Sequence, residues 1–323
     1  MARPPKPELP LRDGVAASVL ACPSGPWATV LDFLSERLPL VAREDWAQRL
    51  SSGAVLNAQG LALALDAPYR GGTRLYYWRW REQEPEVPFE AHILYRDEHL
   101  LVADKPHFLP VTPKGRYVQQ TLLTRLRRAT GLAELSPLHR LDRETAGLVL
   151  FAVHAQARDA YQALFRERRV HKVYEAIAPW RPELSEPRCL AHRLQQHPEH
   201  FMQMQVLDGE PNAWTQLRLI ERLPDAHGQA WARYGLRPST GLKHQLRAQM
   251  CAVGAPLLGD RIYPTLLPHE EQPDFSAPLQ LLARELALQD PLSGVCHRWR
   301  SERMLNGLDM PNFNPANQGV LPP

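Results

Sequence analysis

Residues 137–153 read PLHRLDRETAGLVLFAV. Two arginines, a histidine and two carboxylates fall within the six residues His139–Glu144, directly before an unbroken apolar run. Charged groups at the mouth of a buried strand are costly to hold there unless they are paired. Asp142, flanked by Arg140 and Arg143, fits two readings on local pattern. One is a structural ion pair. The other is a carboxylate that arginine keeps ionised at a strand entrance, facing a cavity and able to act as a nucleophile or base near neutral pH. The local chemistry permits both.

Other constellations are weaker. Cys189, His192, His197 and His200 offer C-x2-H-x4-H-x2-H, ligands that zinc accepts. The spacing matches no zinc motif, and Pro198 with the neighbouring glutamines reads as a polar loop, so no metal is expected. There is no HExxH, GxSxG or P-loop, and the scattered glycines form no dinucleotide cradle. Two basic stretches stand out. Lys114, Arg116, Arg125, Arg127 and Arg128 have no acidic residue among them, and Arg166, Arg168, Arg169, His171 and Lys172 are interrupted only by Glu167. They read as solvated helix faces or as footing for a polyanion.

The elements that must hold these residues follow from periodicity. TVLDFLSERLPLV and REDWAQRLSSG read as helices, and RLYYWRWRE as a strand. HILYRD and HLLVADKP read as strands about an Asp-Glu turn, QQTLLTRLRRATG as an amphipathic helix, and GLVLFAV as a strand buried on both faces. ARDAYQALFRERRV reads as a helix, KVYEAIAP as a strand, WTQLRLIERL and AWARYGLRP as paired strands, and GLKHQLRAQMCAVG as a helix ending at Gly254. This irregular mixture implies an α+β fold on one extended mixed sheet, not a doubly wound nucleotide fold. Residues 1–25 are expected to be an irregular arm, 26–84 a small module, 82–90 the connection, 88–305 the main domain and 306–323 an irregular tail.

Composition narrows the setting. The 323 residues are 44% apolar and aromatic, enough for a large core, and carry a formal charge of +3. The 31 prolines are about twice the usual share. Four separated cysteines without a CxxC suit a reducing cytoplasm. No run is long enough to span a membrane, and no signal core opens the chain.

Resemblance selects between the two readings of Asp142. HRLDRETAGLVLFA resembles the HRLDxxTSGLLLFA motif of the RluA-like family of RNA pseudouridine synthases. ILYRDEHLLVADKPHFLPVTP, HKVYEAIAP, GEPNAWTQLRLIE and RPSTGLKHQLRAQMCAVGAPLLGDRIYP resemble the family's other motifs, in order, across residues 91–264. Ala146, Leu242-Lys243, Gln249 and the histidine-free LQLLARELAL depart from the usual patterns. Residues 26–82 more weakly resemble the small RNA-binding module of ribosomal protein S-four type.

The resemblance implies the pseudouridine synthase fold, a largely antiparallel sheet flanked by helices, and isomerisation of uridine in RNA without cofactor or metal. It implies Asp142 as the essential carboxylate, acting by covalent attack on the sugar or by removing a proton from it. It implies that Arg247 forms a bidentate pair with Asp142, that Tyr174 stacks on the target base, and that Arg140 enters the RNA stack as the uridine is flipped out. Lys172, His244 and Gln245 are expected at the same substrate site. The partner is RNA, ribosomal in preference to transfer RNA, bound by a cytoplasmic monomer. The alternatives are a catalytically silent RNA-binding protein and a glycosidic hydrolase, which would need a second carboxylate; Glu144 is the near candidate.

Overall fold

The computed structural model describes residues 7–79, 84–226, 229–268 and 273–305. The expected C-terminal tail, 306–323, and the first six residues of the arm lie outside them. The chain divides into two compact units. Unit 1 comprises 1–84, 114–119 and 124–133; unit 2 comprises 85–113, 120–123 and 134–323. The division does not follow the chain as the sequence suggested, because residues 114–119 and 124–133 cluster with the N-terminal residues.

Unit 1 contains β1 (Ser18–Ala21), α1 (Val30–Arg37), α2 (Arg43–Ser51), β2 (Val55–Leu56) and β3 (Arg74–Tyr77). The three strands form one sheet in the order β1-β3-β2. Residues 18–21 are thus a strand rather than part of an irregular arm: Leu20 and its neighbours pair antiparallel with Leu75 and its neighbours. The helix α1 starts where Thr29 and Asp32 cap each other reciprocally. Phe33, Leu34, Trp46 and Leu50 of the two helices close a core with Val55, Leu75 and Tyr77.

Unit 2 is built on a sheet that, among the described residues, has eleven strands. In chain order the elements are β4 (His92–Arg96), β5 (Leu100–Lys105), α3 (Leu122–Thr130, divided between the units), β6 (Ser136–Pro137), β7 (Ala146–Ala152) and α4 (Ala155–Arg166). Then come β8 (His171–Pro179), β9 (Arg188–Gln196), β10 (Met204–Leu207), β11 (Ala213–Ala226), β12 (Gln229–Pro238), α5 (Gln245–Ala252), β13 (Leu281–Gln289) and β14 (Cys296–Arg300). The main path runs β10-β9-β11-β12-β8-β13-β7-β5-β4, with β14 on β13 and β6 on β7. All its pairings are antiparallel except β7 with β13. The fold is α+β, as the sequence indicated.

Two local corrections bear on the site. Of the polar loop read around Pro198, the glutamines Gln195 and Gln196 belong instead to β9 together with Cys189 and His192, and the apolar Leu190 and Leu194 of that strand turn inward. His197 and His200 face each other in the turn that follows, where His197 Nδ1 accepts the amides of Glu199 and His200. Among the described residues no group of three or more His, Cys, Asp or Glu is placed to hold a metal ion. Finally, α5 begins only at Gln245: His244 is left-handed, with φ 51°, so 241–244 turn into the helix instead of forming its first turn.

The strand β7 lies third from the β4 edge, between β13 and β5, and is buried at every position. Its Gly147 is required by geometry. At φ +109°, a Cβ there would stand 2.3 Å from the Ala283 carbonyl oxygen of the parallel strand β13. Among the described residues no helix is long and apolar enough to cross a membrane.

Candidate active site

The loop that carries Asp142 is pinned on three sides before any side chain of the site is considered. Its far end is set by β7, where Thr145 N–H donates back to the Asp142 carbonyl (3.2 Å). Its near end is held by His139, whose Nε2 accepts the Leu150 amide of β7 (3.1 Å) while its ring stacks on Phe165. Burial, with the positive charge of Lys172, pushes His139 down to about 3, so it is a neutral acceptor. The third side is the turn after β5. Fully buried Lys105 donates from Nζ to the carbonyls of Pro106 (3.0 Å), Leu109 (2.9 Å) and Arg143 (3.0 Å). His107 Nδ1 meets the Glu144 carbonyl at 2.6 Å. Burial pushes Lys105 down to about 7, against the pull of the Glu144 and Asp142 carboxylates. This lysine therefore shapes the backbone on which Asp142 stands.

The Asp142 side chain, 30% exposed, points at the start of α5. Its Oδ2 accepts from Arg247 Nη1 at 3.3 Å, and its Oδ1 lies 3.8 Å from His244 Nε2. The expected bidentate pair exists, but with another partner. Arg247 gives Nε (2.8 Å) and Nη2 (2.6 Å) to Asp260, leaving only Nη1 for Asp142. The reason is burial. The Asp260 side chain is wholly enclosed, with Oδ1 also accepting the amides of Ile262 (2.8 Å) and Tyr263 (3.1 Å), so it is oriented before it meets the guanidinium. Burial disfavours charge on Arg247, yet Asp260, with Asp142 and Glu144 behind it, holds the guanidinium firmly protonated. Asp260 was not singled out in the sequence. The available signal was an acid set in the largely apolar run APLLGDRIYP, which demands a buried cation.

The other expected residues divide. Tyr174, partly buried on β8, packs against the core formed by Ala176, Tyr234, Leu246 and Leu281. Burial and then the charge of Asp142 raise its phenol, so it stays neutral beside that carboxylate. Lys172 lies two residues earlier on the same strand and donates to the Thr240 carbonyl (3.1 Å). His244 is buried between Asp142 and Tyr263, whose hydroxyl lies 3.4 Å from His244 Nδ1. Burial lowers its pKa, against the pull of Asp142. Arg140 is exposed, with no ion pair to the described residues. Gln245 does not face the site. Its oxygen accepts from Thr240 Oγ1 and the Leu242 amide, and its nitrogen donates to Trp214 O and Thr215 Oγ1. Every polar position of its amide is engaged within the fold, so it shapes the 240–245 turn.

Glu144 is only 22% exposed and pairs with Arg143 Nε at 2.8 Å. Burial opposes its ionisation, but Arg143 and Arg247 hold its carboxyl below the usual carboxylate range. It is an ionised partner to arginine, unlike the protonated acid a two-carboxylate hydrolase requires.

Residues 99–252 match the family described as RNA pseudouridylate synthase. An uncharacterised RNA pseudouridine synthase of Synechocystis sp. is 34% identical over 236 residues, covering 72% of this chain and 79% of its own. The ribosomal large subunit pseudouridine synthase D of Xylella fastidiosa is 30% identical over 241 residues, covering 71% and 69%. Among solved structures, human RNA pseudouridylate synthase domain containing 1 is similar with a TM-score of 0.56 at 25% identity, covering 68% of this chain and 86% of that one.

Proposed function

Because this chain belongs to the RluA-like family of RNA pseudouridine synthases, isomerases that act on uridine in RNA, we propose that Asp142 is the carboxylate on which its reaction turns. One observation carries this. Of the three clustered acids Asp142 is the most open, its side chain 30% exposed, and its contact with arginine is the longest, 3.3 Å against 2.8 Å for Glu144 and 2.6 Å for Asp260. Asp260 is saturated and buried, and Glu144 is tied to Arg143. Arg247 holds one Asp142 oxygen at 3.3 Å, while the side chain remains open enough to be reached.

In this reading the ribose of a flipped uridine lies against Asp142; the bond from the sugar to uracil N1 breaks, the base turns, the sugar bonds to C5, and C5 loses its proton while N1 gains one. Tyr174, neutral and backed by the core, offers a flat wall for the base, and stacking retains it while it is detached. His244 bounds the opposite side of the carboxylate. Arg140, exposed two residues before Asp142, fills the gap left in the RNA stack, for which a planar guanidinium is suited. Lys172 and its neighbours Arg166 to Arg169 supply phosphate contacts from the same strand and the helix before it. The exposed pairs Arg166–Asp159 and Arg169–Glu167 are weak enough to yield to a phosphate. Retention of Asp142, Arg247 and Tyr174 in one cluster argues against a silent binding protein. The substrate class we favour is ribosomal RNA, in line with the Xylella relative's name. A reducing cytoplasm accords with four free thiols, and we take the chain to act there as a monomer.

The test is incubation of the wild type and Asp142→Asn with ribosomal and transfer RNA, followed by chemical mapping of pseudouridine. Modification by the wild type and none by the variant is expected. Equal modification by both refutes the assignment, and release of free uracil would indicate a hydrolase.

A further inference from the structure

The positive charge of this protein is not where its chemistry is. Unit 1 holds fifteen Lys and Arg against nine Asp and Glu, a surplus of six, while the whole chain carries only +3. Unit 2, with the candidate active site, is therefore net negative. With only the Arg166 to Lys172 stretch as local basic footing in the catalytic unit, the larger reserve of positive charge for a polyanion lies in unit 1. The first basic stretch, Lys114 to Arg128, also falls in unit 1.

Within unit 1 the charge is joined to an aromatic. A cavity of about 240 Å³ is lined by Arg12, Arg49, Trp78, Arg79 and Gln119, with Asp13, Val15 and Ala54 completing it. The Arg12 guanidinium carbon stands 3.9 Å over the Trp78 ring. Trp78 is nearly buried and fixed by its Nε1 donating to Pro10 O (3.2 Å), whereas Arg12 is exposed on its outer side. The walls are rigidly joined. Asp13 and Gly14 form a left-handed turn so close to Thr124 that a Cβ on Gly14 would lie 2.5 Å from its carbonyl oxygen. Arg128 spans the turn and the opposite wall, donating to Asp13 O (3.3 Å) and Gln119 Oε1 (3.1 Å).

We propose that this pocket binds one unpaired nucleotide of the RNA, with its base laid on the outer face of Arg12, so that tryptophan, guanidinium and base form a three-layer stack, and its phosphate set between Arg49 and Arg79. The volume equals about eight water molecules, the size class of a single nucleobase. A guanidinium held flat by an aromatic ring is already ordered for stacking, so binding costs it little side-chain freedom. The inference rests on the RNA-modifying reading of this chain, and reads binding, not product, so the two fail separately.

The experiment uses the full chain and fluorescence anisotropy with a labelled single-stranded oligoadenylate, alongside the same ribose-phosphate strand carrying abasic sites. The wild type is expected to prefer the base-bearing strand. R12A weakens binding to that strand about tenfold and erases the preference. R12K keeps the salt dependence but also loses the preference, since a lysine carries charge without a plane. R79A lowers the slope of log affinity against log salt by about 0.7, the share of one phosphate contact. R37A and R70A, in the same unit but outside the pocket, change affinity less than twofold. A wild type that does not bind, or binds both strands alike, overturns the proposal. So does an R12A indistinguishable from R70A, which would show diffuse charge without a pocket.

Discussion

Replacing Asp260 by Asn tests the central arrangement most sharply, because it alters one charge and almost no shape. Asparagine keeps the Oδ1 that accepts the Ile262 and Tyr263 amides, so the loop after α5 retains its anchors. What changes is Arg247, a guanidinium 1% exposed that loses the carboxylate gripping two of its nitrogens at 2.8 and 2.6 Å. Removing one partner of a buried pair costs about 3–5 kcal/mol, and the low end is expected here because Asp142 and Glu144 still share the field. Arg247 then turns toward Asp142, converting a single 3.3 Å contact into a closer pair and engaging the oxygen the reaction needs. Misplacement of this kind costs about 10- to 100-fold in rate. The assay is pseudouridine formation on an RNA that the wild type modifies, with kcat and KM separated at a temperature well below the variant's unfolding midpoint. The expected result is a fall in kcat with KM within about twofold, since Arg247 is too buried to touch RNA. Lost stability with unchanged kcat would refute the reasoning by making Asp260 a scaffold residue only, and a raised KM would mean that Arg247 contacts the RNA directly.

Acid should loosen the fold through two histidines. His139 and His107 are held near 3 and 4 by burial, below the ordinary value of about 6.5. The unfolded chain therefore binds more protons, stability is complete above pH 6.5, and it falls as pH drops toward 4, by about 2 kcal/mol per histidine at pH 5. Thermal melts at pH 7.5 and 5 check this, and His139→Gln should remove about half of the difference. Gly147→Ala is expected to destabilise by about 2–4 kcal/mol or to prevent folding, because its Cβ would collide with the Ala283 carbonyl at a left-handed φ; a melting temperature equal to wild type would contradict the packing of β7 on β13. Glu144→Gln should keep activity within about tenfold, and a loss as complete as that of Asp142→Asn in the same product assay would reinstate it as a second reacting carboxylate.

Much of this arrangement was legible in residue order. The apolar run after Asp142 fits a strand buried on both faces, and β7 is buried throughout. The crowding of charge at its mouth demanded pairing, which it finds. Where the reading went astray, the cause was polar residues that turn inward. Six successive residues of α5, Gln245 to Met250, are buried, so the helix shows almost no amphipathic contrast, and its Arg247, Gln245 and Gln249 are distinguishable only by what they meet. The end of β9, Gln195 and Gln196, reads as loop for the opposite reason: the strand's outward face is polar around only two inward leucines.

What the sequence determined by itself was local: the strand and helix periods and the motif that places a carboxylate at a strand mouth. These depend on neighbours a few residues apart, and chain order encodes them directly. Only the tertiary structure decided that Asp260 and not Asp142 takes the bidentate edge of Arg247, that Gln245 is spent inside, and that residues 114–119 and 124–133 add their charge to the N-terminal unit. A buried ion has no preference written in its own sequence neighbourhood. It pairs with whichever opposite charge the folded chain orients first and shields best from water.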